Sequence, residues 1–318
     1  MIKKLNNTWY LKRIPRVMYF YWGNRILPFL MYLTIFSFVM MNPAWKVKFF
    51  IPRNLTTNKT WKSGEHKYEI NCDDYMNELM RLNIEIYEFD SKILGIKNDC
   101  PEVIKSDIFR WYLLSTFGGF WSDSDVLYFK SMNELFFNTE KNMFVDTIPA
   151  LSTVNEENHH TIGFMGSSIK NSYFKYISNK AMSKINNINN YQGFGADILN
   201  DEFSSLSSIK NKFPELVVEN LPDDVLYPYA RLIYRDAEFF KDNCEDLITK
   251  NTIGIHWYAG SPHAARFVNG LNHRTYKDFK NTIIGKIVGM ILGSAIFAAI
   301  VPTWITLNSN PVEIIRGE

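Results

Sequence analysis

Apolar runs alternate with polar stretches along most of this chain, and the length and spacing of each run predict its element. Short runs rich in aromatic and β-branched residues predict strands at about 16–21, 47–51, 84–87, 120–121, 126–129, 143–146, 162–166 and 252–257. Longer runs predict helices at about 27–42, 72–82, 101–117, 171–186 and 196–203. Strands interleaved with helices imply an α/β domain around a mainly parallel central sheet. Ligands of such sheets bind beyond the carboxyl ends of the strands.

Two runs stand apart by length. Residues 26–41 are apolar but dotted by Thr34 and Ser37, and the run is short of the ~20 residues a membrane span needs. It reads as a helix buried against the sheet. Residues 283–307 are apolar apart from Lys286, near the start, where a lysine can reach the interface. Their length suits a ~30 Å hydrocarbon layer. Gly285, Gly289 and Gly293 recur every four residues, a small-residue stripe of the kind that lets membrane helices approach closely. Pro302 is better tolerated in such a helix than in a soluble one. The expected organisation is a catalytic domain at 1–281 and an apolar, membrane-associating helix and tail at 282–318, with homodimerisation through the stripe. Lys277, Lys280 and Lys286 precede the apolar run and only Arg316 follows it, so the catalytic domain is expected on the cytoplasmic side. Met1–Lys4 opens as a signal peptide would, but Asn6, Asn7, Lys12 and Arg13 interrupt any apolar core.

The stretch 105–130, KSDIFRWYLLSTFGGFWSDSDVLYFK, carries the most chemistry. An apolar helix presents Asp107 and Arg110 on one face, since residues three apart are neighbours on a helix. Gly118 and Gly119 then stop it, because glycine accepts the left-handed backbone that a β-carbon resists. A short aromatic strand leads to Asp123-Ser124-Asp125. In extended chain, residues i and i+2 project to one side, so the two carboxylates converge. That is half of a coordination shell for a hard divalent cation such as Mg²⁺ or Mn²⁺, which substrate phosphates commonly complete.

The whole block resembles the sugar-binding region of DXD-containing glycosyltransferases, the family of initiating mannosyltransferases and clostridial-toxin glucosyltransferases (glycosyltransferase family 32 type). Ser106, Asp107, Arg110, Phe117, Gly118, Gly119, Phe120, Trp121, Asp123, Asp125 and Val126 fall on the family's pattern. The resemblance continues in the opening strand from Ile14 to Gly23, in Asn42-Pro43-Ala44-Trp45, in the strand and helix around Ile162–Ser167 and Ser172–Phe174, in Leu221-Pro222 through Tyr227-Pro228, and in a closing His256-Trp257 … Ser261. It departs from the family at Phe194-Gly195-Ala196, where a Thr-Gly-Pro is usual.

This resemblance implies the glycosyltransferase A fold and a metal-dependent transfer of a hexose from a nucleotide diphosphate sugar to an acceptor hydroxyl, with retention of configuration. A UDP-sugar is favoured, and GDP-mannose is the other donor considered. The acceptor would be a glycan or a lipid-linked sugar, in surface polysaccharide or glycolipid synthesis. Asp125 would bind the cation (Mn²⁺ or Mg²⁺) directly; Asp123, beside it at the metal, would contact the ribose or the transferred sugar; and His256 would be a further metal or phosphate contact. Asp107 and Arg110 would hold sugar hydroxyls. Trp22 would stack on the base, and Trp257 and Ser261 would lie near the leaving diphosphate. Two other classes remain open from the residues alone: an inactive, membrane-tethered nucleotide-sugar or glycan-binding protein, and a metal-dependent nucleotidyl- or phosphotransferase.

Composition narrows the field only at the edges. Net charge is +2 over 318 residues, so nucleic acid is not an expected partner. Cys72, Cys100 and Cys244 have no metal-site spacing and read as idle or buried thiols. Asn6, Asn54 and Asn58 open Asn-x-Thr sequons, which bear only on a protein that enters a secretory lumen. His159-His160 reads as a non-ligand pair, because strand neighbours face opposite ways. Asp73-Asp74 reads as a helix start and Asp223-Asp224 as a turn.

Overall fold

A computed structural model describes residues 14–55, 68–133, 143–149, 158–185, 192–229 and 239–308. The sequons at Asn6 and Asn58 lie outside them, as do residues 1–4 and Arg316. The strands are β1 Val17–Tyr21, β2 Lys46–Pro52, β3 Glu85–Phe89, β4 Gly119–Ser122, β5 Val126–Tyr128, β6 Met143–Pro149, β7 Asn158–Ser167, β8 Val218–Leu221 and β9 Gly254–His256. The helices are α1 Phe29–Met41, α2 Met76–Leu79, α3 Glu102–Thr116, α4 Ser172–Ser183, α5 Ala196–Glu202, α6 Leu206–Lys212, α7 Ala265–Gly270 and α8 Ile283–Asn308.

Seven strands form one sheet in the order β3-β2-β1-β4-β7-β6-β8. The pairs β1/β2, β2/β3, β1/β4 and β6/β8 are parallel, while β7 runs antiparallel to both β4 and β6. This is the mainly parallel α/β arrangement that the alternation of runs predicts. β5 and β9 form a separate antiparallel ribbon, pairing Val126 with His256.

Helices cover both faces of the sheet. On one side α1 buries Phe29, Leu30, Leu33, Ile35 and Phe38 against β1, β2 and the ribbon, at about 1.5–3 kcal/mol for each large apolar side chain removed from water. Its two polar residues are satisfied within the helix and across to the ribbon: Thr34 donates to the Leu30 and Ser124 carbonyls, and Ser37 accepts from the Tyr128 N–H. On the other side α3 and α4 pack on β1, β4 and β7, where Trp111, Trp121 and Tyr173 are fully buried.

Gly118 and Gly119 end α3 with φ of 63° and 104°. A β-carbon at Gly118 would also lie 2.7 Å from the Ser167 carbonyl oxygen, so close packing on β7 demands glycine there as much as the turn does. α2 is shorter than expected. The Asp74 carboxylate accepts from the Leu27 and Met76 N–H groups, which holds the residues before Met76 in a turn rather than a helix. β8, α6 and α7 were not expected: each is short, and polar residues interrupt its apolar positions.

The C-terminal apolar run is helical, but it is not separate from the rest at its start. Ile283, Ile284, Ile287, Val288 and Ile291 of α8 belong to the larger core. A β-carbon on Gly285 would stand 1.9 Å from the Phe279 carbonyl oxygen. The first glycine of the stripe therefore serves contact within the chain rather than a dimer face, and only Gly293 opens onto free space. The side chains of α8 are described as far as Ile296, and among the described residues no helix is long and apolar enough to cross a membrane.

Candidate active site

The sequence block at 105–130 becomes two adjoining structures. α3 carries Asp107 and Arg110 beneath the sheet's carboxyl edge, and β4 ends immediately before Asp123. Asp107 and Arg110 are 3% and 4% exposed. One guanidinium nitrogen, Nη2, lies 3.0 Å from Asp107 Oδ1 and 3.2 Å from Asp123 Oδ1. Nη1 donates to the Ile162 carbonyl, and the guanidinium carbon sits 4.8 Å from the Trp121 ring centroid. The Trp121 indole also donates to Asp123 Oδ1, at 2.9 Å. Thus one oxygen of Asp123 is tied down by the protein. Burial pushes the Asp107 carboxyl up to about 7; Arg110 pulls it down, and Asp123 adds to the rise.

The second structure is built by the β5/β9 ribbon. Asp125 sits just before β5 and His256 ends β9, and their pairing brings Asp125 Oδ1 to 3.2 Å from His256 Nε2. Asp125 Oδ2 accepts from the Ala259 N–H at 2.9 Å. Ligand atoms of Asp123, Asp125 and His256 all lie within 4.8 Å of one another, at intermediate burial. Two carboxylates and an imidazole are a donor set that suits Mn²⁺ and is compatible with Mg²⁺. The expected metal-binding trio is therefore brought together from positions more than 130 residues apart.

Gly163 of β7 forms the floor between these groups. A β-carbon there would lie 2.8 Å from the Tyr227 hydroxyl and 3.2 Å from both Asp123 Oδ2 and His256 Cδ2. The His256 ring is flanked by Tyr227 at 5.1 Å and Tyr258 at 4.7 Å between centroids. Gly195, in the segment that departs from the family pattern, approaches Asp107: its ideal β-carbon would be 2.9 Å from Oδ2. The neighbouring Phe194 carbonyl accepts from the Trp111 indole. Gly163, Tyr227 and Gly195 lie in segments that the family resemblance singles out, but their approach to the site is not legible there, because each reaches it through pairing or packing with a distant element. Small residues around Ile162-Gly163 were the nearest hint.

Other expected residues fall less simply. Trp22 is 3% exposed within the larger core, and its indole donates to the Ile26 carbonyl at 2.9 Å. The ring therefore offers no stacking face, because the apolar surface that made it attractive for a base is satisfied by the core. Trp257 is fully buried, and its indole N–H meets no acceptor among the described residues. A buried donor left unpaired costs about 1–3 kcal/mol. Ser261 caps a short turn: its hydroxyl accepts from the His263 N–H. His160 is buried with Nε2 on the Phe203 carbonyl, and it joins no metal-binding group among the described residues.

A family described as capsular polysaccharide synthesis protein matches residues 83–220. That span includes Asp107, Arg110, Asp123 and Asp125 but not His256. No curated protein matches the sequence. Among solved structures, the chain is similar to the PaToxG glycosyltransferase, at 14% identity over 64% of this chain and 71% of that one, with a TM-score of 0.45. It is similar to the galactosyltransferase LgtC in complex with donor and acceptor sugar analogues, at 10% identity over 82% and 99% of the two chains, with a TM-score of 0.43. It is also similar to the glycosyltransferase GlyE of Streptococcus pneumoniae TIGR4, at 12% identity over 89% of this chain and 64% of that one, with a TM-score of 0.46.

Proposed function

We propose that the chain is a metal-dependent glycosyltransferase of the glycosyltransferase A type, which moves a hexose from a nucleotide diphosphate sugar to a glycan or lipid-linked acceptor in the synthesis of a surface polysaccharide. The convergence of Asp123, Asp125 and His256 beside the buried Asp107–Arg110 pair carries this reading. The match to a capsular polysaccharide synthesis family supports the polysaccharide context. A divalent cation bound there would supply Lewis-acid stabilisation of the departing diphosphate. Asp125 and His256 would hold it, with the free oxygen of Asp123. Arg110 fixes the other Asp123 oxygen, so that this carboxylate cannot rotate away from the cleft. Asp107 would accept a sugar hydroxyl.

The test is release of nucleotide diphosphate from a panel of UDP- and GDP-sugars in Mn²⁺, Mg²⁺ or EDTA. Release from one donor, dependent on the cation and retained sugar configuration in the product, is expected. Equal release in EDTA removes the metal from the mechanism.

We extend the proposal to membrane association through the distal part of α8, with the catalytic domain cytoplasmic. Met290, on the outer side of the docked turns, and Ile296, beyond them, are exposed apolar residues, and Lys277, Lys280 and Lys286 are exposed around the helix start. Because the first turns are core, a chain ended after Asn281 should aggregate, losing five buried aliphatic residues at about 1.5–3 kcal/mol each from a fold whose stability is typically about 5–15 kcal/mol. A chain ended after Ser294 should fold and leave the membrane fraction. Recovery of the full chain in the soluble fraction without detergent would remove the anchor.

A further inference from the structure

Tyr258 has φ of 52°, in the left-handed region that a bulky residue enters only at a cost. Among the described residues, the other non-glycine positions with positive φ are Lys170, exposed in the turn after β7, and Asn243, a residue type that tolerates it. Tyr258 alone of these adjoins the site. Its twist turns the chain out of β9 so that the next peptide N–H, that of Ala259, points at Asp125 Oδ2 from 2.9 Å. The turn is closed by the Ser261 N–H on the Tyr258 carbonyl at 2.9 Å.

The same residue is gripped from its other end. Tyr68 donates its hydroxyl to the Ala259 carbonyl at 2.5 Å. Tyr68 is itself placed by a two-point backbone clamp nearby: the Asn269 amide accepts from the Asn71 N–H at 2.8 Å and donates to the Glu69 carbonyl at 2.9 Å. Ala259 is therefore held on both sides, and the carboxylate it addresses is held with it. Residues that orient a ligand carboxylate bear on metal affinity although they never touch the metal.

We propose that Tyr68 and Tyr258 are positioning residues for the cation site, fixing the Asp125 carboxylate through Ala259. The proposal rests on the reading of Asp123, Asp125 and His256 as cation ligands. It adds that the orientation of Asp125 is set, through Ala259, by a left-handed residue and by a phenol that lies 191 residues before Ala259.

The experiment is titration of Mn²⁺ alone into the full-length chain, with free Mn²⁺ read by electron paramagnetic resonance and folding checked by the melting temperature of the metal-free protein. Tyr68→Phe keeps the ring and removes one hydrogen bond; it should weaken Mn²⁺ binding about threefold to tenfold at a nearly unchanged melting temperature. Tyr258→Val, which resists the left-handed region, should lose roughly tenfold or more, whereas Tyr258→Asn, which accepts it, should bind closer to wild type. Asp125→Asn is the control. If wild type and Asp125→Asn bind Mn²⁺ alike, the cation site itself is wrong. If Asp125→Asn loses binding while Tyr68→Phe and Tyr258→Val bind as wild type does, the cation site stands and the positioning role is overturned. Should Tyr258→Val fail to fold, Tyr68→Phe decides the matter by itself.

Discussion

The two halves of the site are built on opposite plans. Asp107 and Arg110 ride on a fifteen-residue helix, are almost wholly buried, and form an ion pair. Asp123, Asp125 and His256 stand at strand ends, are only partly buried, and crowd three metal-ligating groups together. The first half is an electrostatic fixture that the fold needs. The second is a concentration of negative charge and lone pairs for which the fold has no use of its own. Arg110 joins them by sharing Nη2 between Asp107 and Asp123. The contrast separates groups whose removal costs stability from groups whose removal costs only chemistry.

The largest effect should come from the second half. Asp125→Asn should abolish turnover and Mn²⁺ dependence while leaving the melting temperature close to wild type, since an amide oxygen can still accept from the Ala259 N–H. Substantial activity in that variant would dissolve the distinction. Arg110→Met should do the reverse, costing about 3–5 kcal/mol of stability, because it strands a buried carboxylate; chemical denaturation measures this. A cost no larger than that of a surface change would show that the first half is no fixture.

The pH dependence of stability sharpens the same contrast. With its carboxyl raised from 3.8 to about 7, Asp107 binds its proton more tightly folded than unfolded. Stability from this group is thus fully present below about pH 4 and is lost as pH rises through about 7. Asp107→Asn should flatten the stability profile of the metal-free protein between those limits, and identical profiles would refute the shift. The smallest effect is expected at Gly163→Ala, whose β-carbon would press on the Tyr227 hydroxyl, 2.8 Å away. Weaker Mn²⁺ binding by roughly tenfold, with little change in melting temperature, is the expected result of the titration.

The first half was readable from the chain because its contacts are local. Asp107 and Arg110 are one helical turn apart, and Gly118-Gly119 marks where the helix must stop. Asp123 and Asp125 were readable as a pair for the same reason. His256 came from resemblance, since nothing in its own neighbourhood distinguishes it from a core histidine. Trp22 misled because an aromatic residue at a strand's end serves a core as readily as a ligand, and burial decides between them. Tyr68, Tyr227 and Gly195 reach the site through tertiary packing that no periodicity encodes. The apolar run after residue 282 was correctly helical, but its division into docked and projecting parts depends on Phe279 meeting Gly285, a contact that composition does not reveal.

The ribbon that pairs Val126 with His256 also sets an order of events during synthesis. Chains emerge amino end first, and long-range pairings form last. The ion pairs of Arg110 with Asp107 and Asp123 involve only α3 and the residue after β4, and the Ile162 carbonyl joins them later. Asp125 gains its imidazole neighbour and its Ala259 contact only after four-fifths of the chain has been made. A nascent chain thus brings Asp107, Arg110 and Asp123 together early and Asp125 with His256 late, so the group of three ligating side chains is completed only when the fold is nearly finished.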